Sequence, residues 1–312
     1  MKGTVIMKAM IATGDAAASV ALAEVEQPRL GAHEALVKVE AYSVNRGETF
    51  LLEAPPPGWR PGKDIAGLVV QAAADGSGPA VGRRVVGHPA QGGWSEYVAV
   101  PTEALAELPD EVDSVTAAAL PLAGLTALRL LRVAGAVTGR RVLITGAAGG
   151  VGHYFVELAA AAGAVVTAVT GSAERGRRLR ELGASAIVHE VDAAAGPFDL
   201  VLESTGGPNL AAAAAKLTGR GTLIWFGQAS RTPATLNFFD FLYGPASAVI
   251  RHFSYADFDT PYGEDLATLV RLVGTGRLHP EIGLTADWAE TAEVLHRLRG
   301  REVRGNAVLT LT

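Results

Sequence analysis

The chain has 312 residues, 49% of them hydrophobic and 19% charged, with 37 Gly and no Cys. That length suggests about two domains, and so high an apolar content excludes a disordered chain. The missing Cys excludes disulfides, a Cys nucleophile, iron–sulfur clusters and thiolate zinc sites, and a net charge of −5 gives no bulk attraction to nucleic acid or an anionic membrane.

Residues 1–12 form a short, mixed start interrupted by Lys2 and Lys8, without the apolar core of a signal peptide. The expected location is cytoplasmic, with which the missing Cys is compatible although it does not require it. The first third is β-rich: residues 35–39 alternate apolar and polar, and 65–70 and 84–86 are short apolar runs. Turn signals such as Pro61-Gly62 and Gly92-Gly93 separate them, a pattern that suggests a small barrel or sandwich. Asp113-Ser114 starts an Ala/Leu-rich helix through residue 131, bent or restarted near Pro121 and Gly124. Strands over 141–145, 165–170, 186–188, 198–203, 222–226 and 248–251 then alternate with helices over 151–162, 173–182 and 210–217. Continuous apolar strands separated by helices imply an α/β doubly wound parallel sheet. The most apolar stretch, 156–170, contains Gly163 and falls short of the ~20 residues of a membrane span, so it divides into a helix and a buried strand. Two amphipathic helices, 263–273 and 289–299, precede a final alternating strand, 306–311, that can return to the first domain.

The strongest chemical signal is Val142-Leu143-Ile144-Thr145-Gly146-Ala147-Ala148-Gly149-Gly150-Val151-Gly152. A buried strand runs into a Gly-rich turn and then a helix, the context of a dinucleotide-binding loop. Gly149 allows backbone to approach a pyrophosphate, Gly152 lets the helix pack on the strand, and the helix N-terminus offers N–H groups to phosphates. Ala147 occupies the first Gly position of the G-x-G-x-x-G frame. The second strand ends Thr170-Gly171-Ser172, with no Asp or Glu at its tip for a ribose 2′-OH. Gly171 leaves room, Ser172 can donate a hydrogen bond and Arg175 can pair with a 2′-phosphate, which points to NADPH. The other Arg residues of that helix, Arg177, Arg178 and Arg180, also suit a solvated face.

Tyr42-Ser43-Val44-Asn45, Pro61-Gly62-Lys63-Asp64-Ile65-Ala66-Gly67, Gly92-Gly93-Trp94-Ser95-Glu96-Tyr97-Val98 and Ala119-Leu120-Pro121-Leu122-Ala123-Gly124-Leu125-Thr126-Ala127 follow one another, with the Gly-rich loop and Ser204-Thr205-Gly206-Gly207 behind them. In this order and spacing the chain resembles the zinc-free, zeta-crystallin-like quinone oxidoreductases of the medium-chain dehydrogenase/reductase superfamily. The resemblance implies a Rossmann domain, residues 116–255, inserted in a GroES-like β-rich substrate domain, residues 1–115 and 256–312. It implies a nicotinamide and substrate held in the cleft between them. It also implies cofactor contacts from Asn45 and Thr126 at the nicotinamide, Ala148, Gly149, Gly150 and Val151 at the pyrophosphate, and Gly171, Ser172 and Arg175 at the 2′-phosphate. Ser204, Thr205, Gly206, Phe226 and Gly227 would follow at strand ends, with Asn306 where relatives often carry Lys or Gln. Zinc-dependent relatives place a Cys near Asn45 and a His-Glu pair near Lys63-Asp64; no metal is expected here.

A zinc-free site of this kind delivers hydride to a quinone or an α,β-unsaturated carbonyl, and charge on the carbonyl oxygen then needs a hydrogen-bond donor and a proton. The proton donor is not identified by the sequence. Some enoyl-reducing relatives use a Tyr after the Asn45 segment, where this chain has Arg46-Gly47-Glu48-Thr49-Phe50. The candidates are Asn45, Tyr42 and Tyr243, with Tyr42 better suited to barrel packing and the aromatic run at 238–243 equally suited to a core or dimer contact. A non-catalytic NADPH-binding sensor or accessory protein is the alternative. By resemblance, the sheet edge at 248–251 is expected to pair two chains as a homodimer.

Overall fold

The structure, a computed structural model, describes residues 5–15 and 19–311. Residues 1–4, part of the stretch read for a leader, lie outside the described residues. The chain divides into two compact units, Met1–Leu125 with Asp259–Thr312, and Thr126–Phe258.

The first unit is GroES-like and built around the strand Glu34–Val44, whose inward positions are buried along its length. One of its edges pairs antiparallel with Asp64–Gln71. Its other edge is shared: Tyr97–Pro101 pairs with residues 34–38, and the returning strand Asn306–Thr310 pairs with residues 41–44. Gly67 makes the central pairing possible, because a Cβ there would lie 2.0 Å from the Lys38 carbonyl oxygen. Ile282–Asp287 lies parallel to Asn306–Thr310, and the hairpin of Ile6–Ala12 and Val20–Glu26 forms a separate sheet. Tyr42, Ile65, Val85, Trp94 and Leu309 fill the core. Their burial is the main favourable contribution to this unit's stability.

The second unit is a sheet of six parallel strands in the order Ala186–Val188, Val165–Val169, Arg141–Ile144, Phe198–Glu203, Leu217–Trp225, Val249–His252. This is the Rossmann order, with the switch point between Arg141–Ile144 and Phe198–Glu203. The two switch-point strands are largely buried, as their continuous apolar sequences require. Helices Gly150–Ala161, Ala173–Glu181 and Pro208–Ala215 connect them.

The Ala/Leu-rich segment restarts near Pro121, as its sequence suggests: it is two helices, Ser114–Ala118 and Pro121–Ala134, because Pro121 disfavours helical geometry in the residue before it. Two other sequence expectations are corrected. Gly124 causes no break; it lies within the second helix, where a Cβ would approach Leu269 to 3.0 Å. Leu217 is not the end of a helix but the start of a strand, paired with Phe198, with a register shift before Thr222 and Arg220 at φ 62°. Among the described residues no helix is long and apolar enough to cross a membrane.

Candidate functional site

At the end of Arg141–Ile144 the chain turns at Gly146, φ 63°, and the Gly149 N–H closes the turn on the Gly146 carbonyl at 3.0 Å. Gly149 caps the helix Gly150–Ala161 without a side chain, so the first-turn N–H groups have no side-chain cap acceptor. Gly152 carries the closest approach: a Cβ there would stand 2.5 Å from the Ala147 carbonyl oxygen and 2.6 Å from the Ala147 Cα. The helix therefore starts directly against the strand end, and its dipole opens onto the loop formed by Ala148, Gly149, Gly150 and Val151. His153, in the first turn, is buried and donates Nδ1–H to the Gly149 carbonyl at 3.1 Å. Burial, opposed by that bond, pushes its pKa down to about 4, so the imidazole adds no charge to the loop at neutral pH.

The neighbouring strand ends in Glu203, a fully buried acid that organises the next loop. Its Oε1 accepts from the Thr145 hydroxyl at 2.9 Å, the Thr205 N–H at 2.8 Å and the Thr205 hydroxyl at 2.5 Å. Its Oε2 accepts from the Gly206 N–H at 2.9 Å. The Ser204 N–H meets the Thr145 hydroxyl at 3.0 Å, and the Phe226 N–H meets the Glu203 carbonyl at 2.9 Å. Gly227 packs there too, since a Cβ on it would lie 3.0 Å from the Ser204 carbonyl oxygen. Thr205 and Gly206 are thus gathered on one carboxyl group beside the Gly-rich turn, and Ser204, Phe226 and Gly227 are tied to the backbone next to it. Sequence reasoning missed Glu203; the signal was an acid closing the apolar run Leu200-Val201-Leu202 at a strand end.

At the tip of Val165–Val169, a Cβ on Gly171 would meet nothing within 4 Å, which leaves open space beside the strand end. The Ser172 hydroxyl caps the helix Ala173–Glu181 by accepting the Arg175 N–H at 3.3 Å. The structure therefore places Gly171, Ser172 and Arg175 together, with no acid at the strand tip. Thr126, also in this unit, is buried in the helix Pro121–Ala134.

In the first unit Asn45 caps the short helix Arg46–Leu51 in a capping box with Glu48. The Asn45 N–H donates to Glu48 Oε2 at 2.9 Å, and the Gly62 N–H donates to Glu48 Oε1 at 3.1 Å. Burial first, then the nearby Asp64 carboxyl, push the Glu48 pKa up to about 8 against these two hydrogen bonds. Asp64 is fully buried. Its Oδ2 accepts from the Ser43 hydroxyl and from Asn45 Nδ2, both at 2.7 Å; its Oδ1 accepts the Leu122 N–H at 3.0 Å and lies 3.1 Å from His88 Nδ1. In the sequence this cluster shows only as an acid at the start of a buried strand. Among the described residues no group of three or more His, Cys, Asp or Glu could hold a metal.

Tyr42 is a core residue: fully buried, stacked on Trp94 at 5.7 Å, with its hydroxyl 2.6 Å from the Thr291 hydroxyl. Burial raises its pKa well above the usual tyrosine range, so its proton is held in the core. Tyr243 is the opposite case, 85% exposed at the end of the helix Phe238–Tyr243, stacked on Phe239. Asn306 is buried at the start of the returning strand, its N–H on the Glu281 carbonyl at 2.8 Å.

Two family models match the chain: "Alcohol dehydrogenase GroES-like domain" over residues 31–110 and "Zinc-binding dehydrogenase" over residues 150–272. An alcohol dehydrogenase of Geobacillus stearothermophilus is 27% identical over 92% of this chain and 94% of its own length. A chloroplast envelope quinone oxidoreductase homolog of Arabidopsis thaliana is 34% identical, over 51% of this chain and 53% of its own. Among solved structures, a mycobacterial protein complexed with NADPH superposes with a TM-score of 0.87 at 25% identity, covering 97% of this chain and 99% of that one.

Proposed function

The chain belongs to the quinone oxidoreductase family of the medium-chain dehydrogenases/reductases, and from that premise we propose that it is an NADPH-dependent, zinc-independent reductase of quinones or α,β-unsaturated carbonyls. The observation that carries the reading is the turn at Gly146–Gly152, closed on itself and too tight at Gly152 for any side chain, with an uncapped helix N-terminus above it. When bound, NADPH supplies a hydride to an electron-poor carbon. The chain's part is to bind and orient. Ala148, Gly149, Gly150 and Val151 offer backbone N–H groups to the pyrophosphate. Gly171 gives room for a 2′-phosphate, to which Ser172 and Arg175 turn a hydroxyl and a guanidinium. Glu203 holds the Ser204–Gly206 backbone, with Phe226 and Gly227 packed on it, in one shape against the cofactor. Asn45, Thr126 and Asn306 are assigned to the cofactor by the family resemblance.

NADPH-linked turnover is read as loss of absorbance at 340 nm with a panel of quinones, enones and enoyl thioesters. Tight NADPH binding with no oxidation by any of them would replace the reductase reading with that of a non-catalytic NADPH-binding sensor. NADPH is expected to bind at least tenfold more tightly than NADH; equal dissociation constants reject the 2′-phosphate assignment. Zinc independence rests on the direct bond from Asn45 Nδ2 to Asp64 Oδ2, which ties up two of the positions where zinc-dependent relatives place ligands. Activity is therefore expected to survive prolonged treatment with a strong chelator, and its loss, restored by zinc, would overturn this part of the reading.

The partner we propose is a second copy of the chain. Every residue of Val249–His252, the last strand of the parallel sheet, is exposed, and so are Phe238 at 73% and Tyr243 at 85% on the preceding helix. An unpaired strand edge next to exposed aromatic rings suits pairing of two sheets.

A further inference from the structure

We infer that Thr145 is a positioning residue for the Gly-rich turn: its hydroxyl joins the Ser204 loop to the start of that turn and so sets where the turn's N–H groups meet the pyrophosphate; this rests on the assignment of the pyrophosphate to that turn in the proposed function. Thr145 is buried and stands between the strand Arg141–Ile144 and Gly146. A threonine hydroxyl has one hydrogen to give and lone pairs that receive. Here the two are used in opposite senses. The hydrogen goes to Glu203 Oε1 at 2.9 Å, the nearer of its two acceptors, the Leu202 carbonyl lying 3.5 Å away. A lone pair takes the Ser204 N–H at 3.0 Å. The Ser204 hydroxyl in turn donates to the Thr145 carbonyl at 3.2 Å. That carbonyl shares one planar peptide with the Gly146 N–H, so holding it sets the plane from which the turn departs. Ser204 Oγ also occupies the space beside Gly146, where a Cβ would lie 2.7 Å from it. The turn is tied at two further points, the Ala147 N–H on the Val169 carbonyl at 3.1 Å and the Gly149 N–H on the Gly146 carbonyl at 3.0 Å. Both are backbone bonds. Of the three ties only the one at Thr145 runs through side chains, so it is the one a substitution can remove. Without that hydroxyl Glu203 Oε1 keeps two donors, the Thr205 N–H and hydroxyl. The Ser204 N–H has no other acceptor among the described residues and must turn to find water, which takes Ser204 Oγ away from Gly146 and loosens the start of the turn.

The test uses the whole protein and two probes: NADPH, and adenosine 2′-monophosphate, which carries the 2′-phosphate but no pyrophosphate. Their dissociation constants are measured by calorimetry beside the melting temperature of each variant. Thr145→Val keeps the shape and loses the hydroxyl. Leaving the Ser204 N–H without its acceptor is expected to cost about tenfold or more in NADPH affinity. Affinity for the monophosphate, which does not reach the turn, is expected to stay within about threefold of the parent. Thr145→Ser keeps the hydroxyl and is expected to hold NADPH within about threefold of the parent. A merely structural Thr145 would weaken both probes together, in step with melting temperature, and that outcome overturns the inference. Unchanged NADPH affinity in a folded Thr145→Val overturns it equally. Should Thr145→Val not fold, Thr145→Cys, whose thiol is a weak donor and a weak acceptor, takes its place under the same outcomes. If the parent binds NADPH but not the monophosphate, the 2′-phosphate assignment has failed and the Val and Ser substitutions decide: loss in the first with parent-like affinity in the second upholds the inference, and any other result overturns it. A parent that binds no NADPH fails the proposed function itself, and the inference falls with it.

Discussion

At the residue scale, two kinds of constraint shape the site: places where no atom fits, and buried acids that gather donors. Gly152 is the first kind. In an open helix, Gly→Ala gains about 1 kcal/mol of helix propensity. At this position the added Cβ would stand 2.5 Å from a backbone oxygen that cannot swing aside, and such overpacking costs about 1–3 kcal/mol. The steric cost wins, so Gly152→Ala is expected to lower the melting temperature and to weaken NADPH binding at least tenfold; a variant that is stabilised and binds normally would contradict the packing described. Glu203 and Asp64 are the second kind. Glu203 takes donors 2 to 58 residues distant in sequence and Asp64 donors 19 to 58 residues distant, which is why neither stands out in the sequence. The Gly-rich turn was legible because its function depends on a local run of small residues. The carboxyl groups behind it were not, because their partners are assembled by strand register.

At the scale of elements, legibility followed burial pattern. Phe198–Glu203 and Ala186–Val188 have the bounds expected from their apolar runs, and Val165–Val169 differs by one residue. Ile282–Asp287 was missed: no residue of it is buried, so no apolar face marks it, and it is a strand because Asn306–Thr310 pairs with it. Helix Arg46–Leu51 was missed because six residues are too few for a periodic signal; its capping pair, Asn45 and Glu48, was the signal that could have found it. The edge strand Val249–His252 yields a prediction of its own. Lysine on an exposed edge blocks pairing with another strand. Ile250→Lys is expected to convert a homodimer into a monomer at micromolar concentration, measured by light scattering, with little change in melting temperature beyond that due to dissociation. A parent protein that is already monomeric would remove the second copy from the proposal.

At the scale of the whole molecule, the two units carry buried titratable groups shifted in opposite senses. In the second unit His153 is held neutral, its pKa moved from 6.5 to about 4, so the unfolded chain binds the extra proton and stability is lost as pH falls from 6.5 toward 4. In the first unit Glu48 is held protonated, its pKa moved from 4.5 to about 8, so the folded chain binds the extra proton and stability is lost as pH rises from 4.5 toward 8. Thermal melts across this range are expected to show Glu48→Gln flattening the decline on the alkaline side and His153→Gln flattening that on the acid side. A parallel pH profile for parent and Glu48→Gln would refute the assignment. The divided edge of Glu34–Val44 also has a consequence for synthesis. Residues 34–38 receive Tyr97–Pro101 early, but Ala41, paired on its other side with Ala66, has no partner on this edge until Thr310 is made. At ~5–20 residues per second that delay is roughly 15–50 s, during which the inserted unit is translated in full. For that time the nascent chain carries a half-finished barrel with one apolar ribbon open, a substrate for holding chaperones on the ribosome and a reason for yield to depend on translation speed.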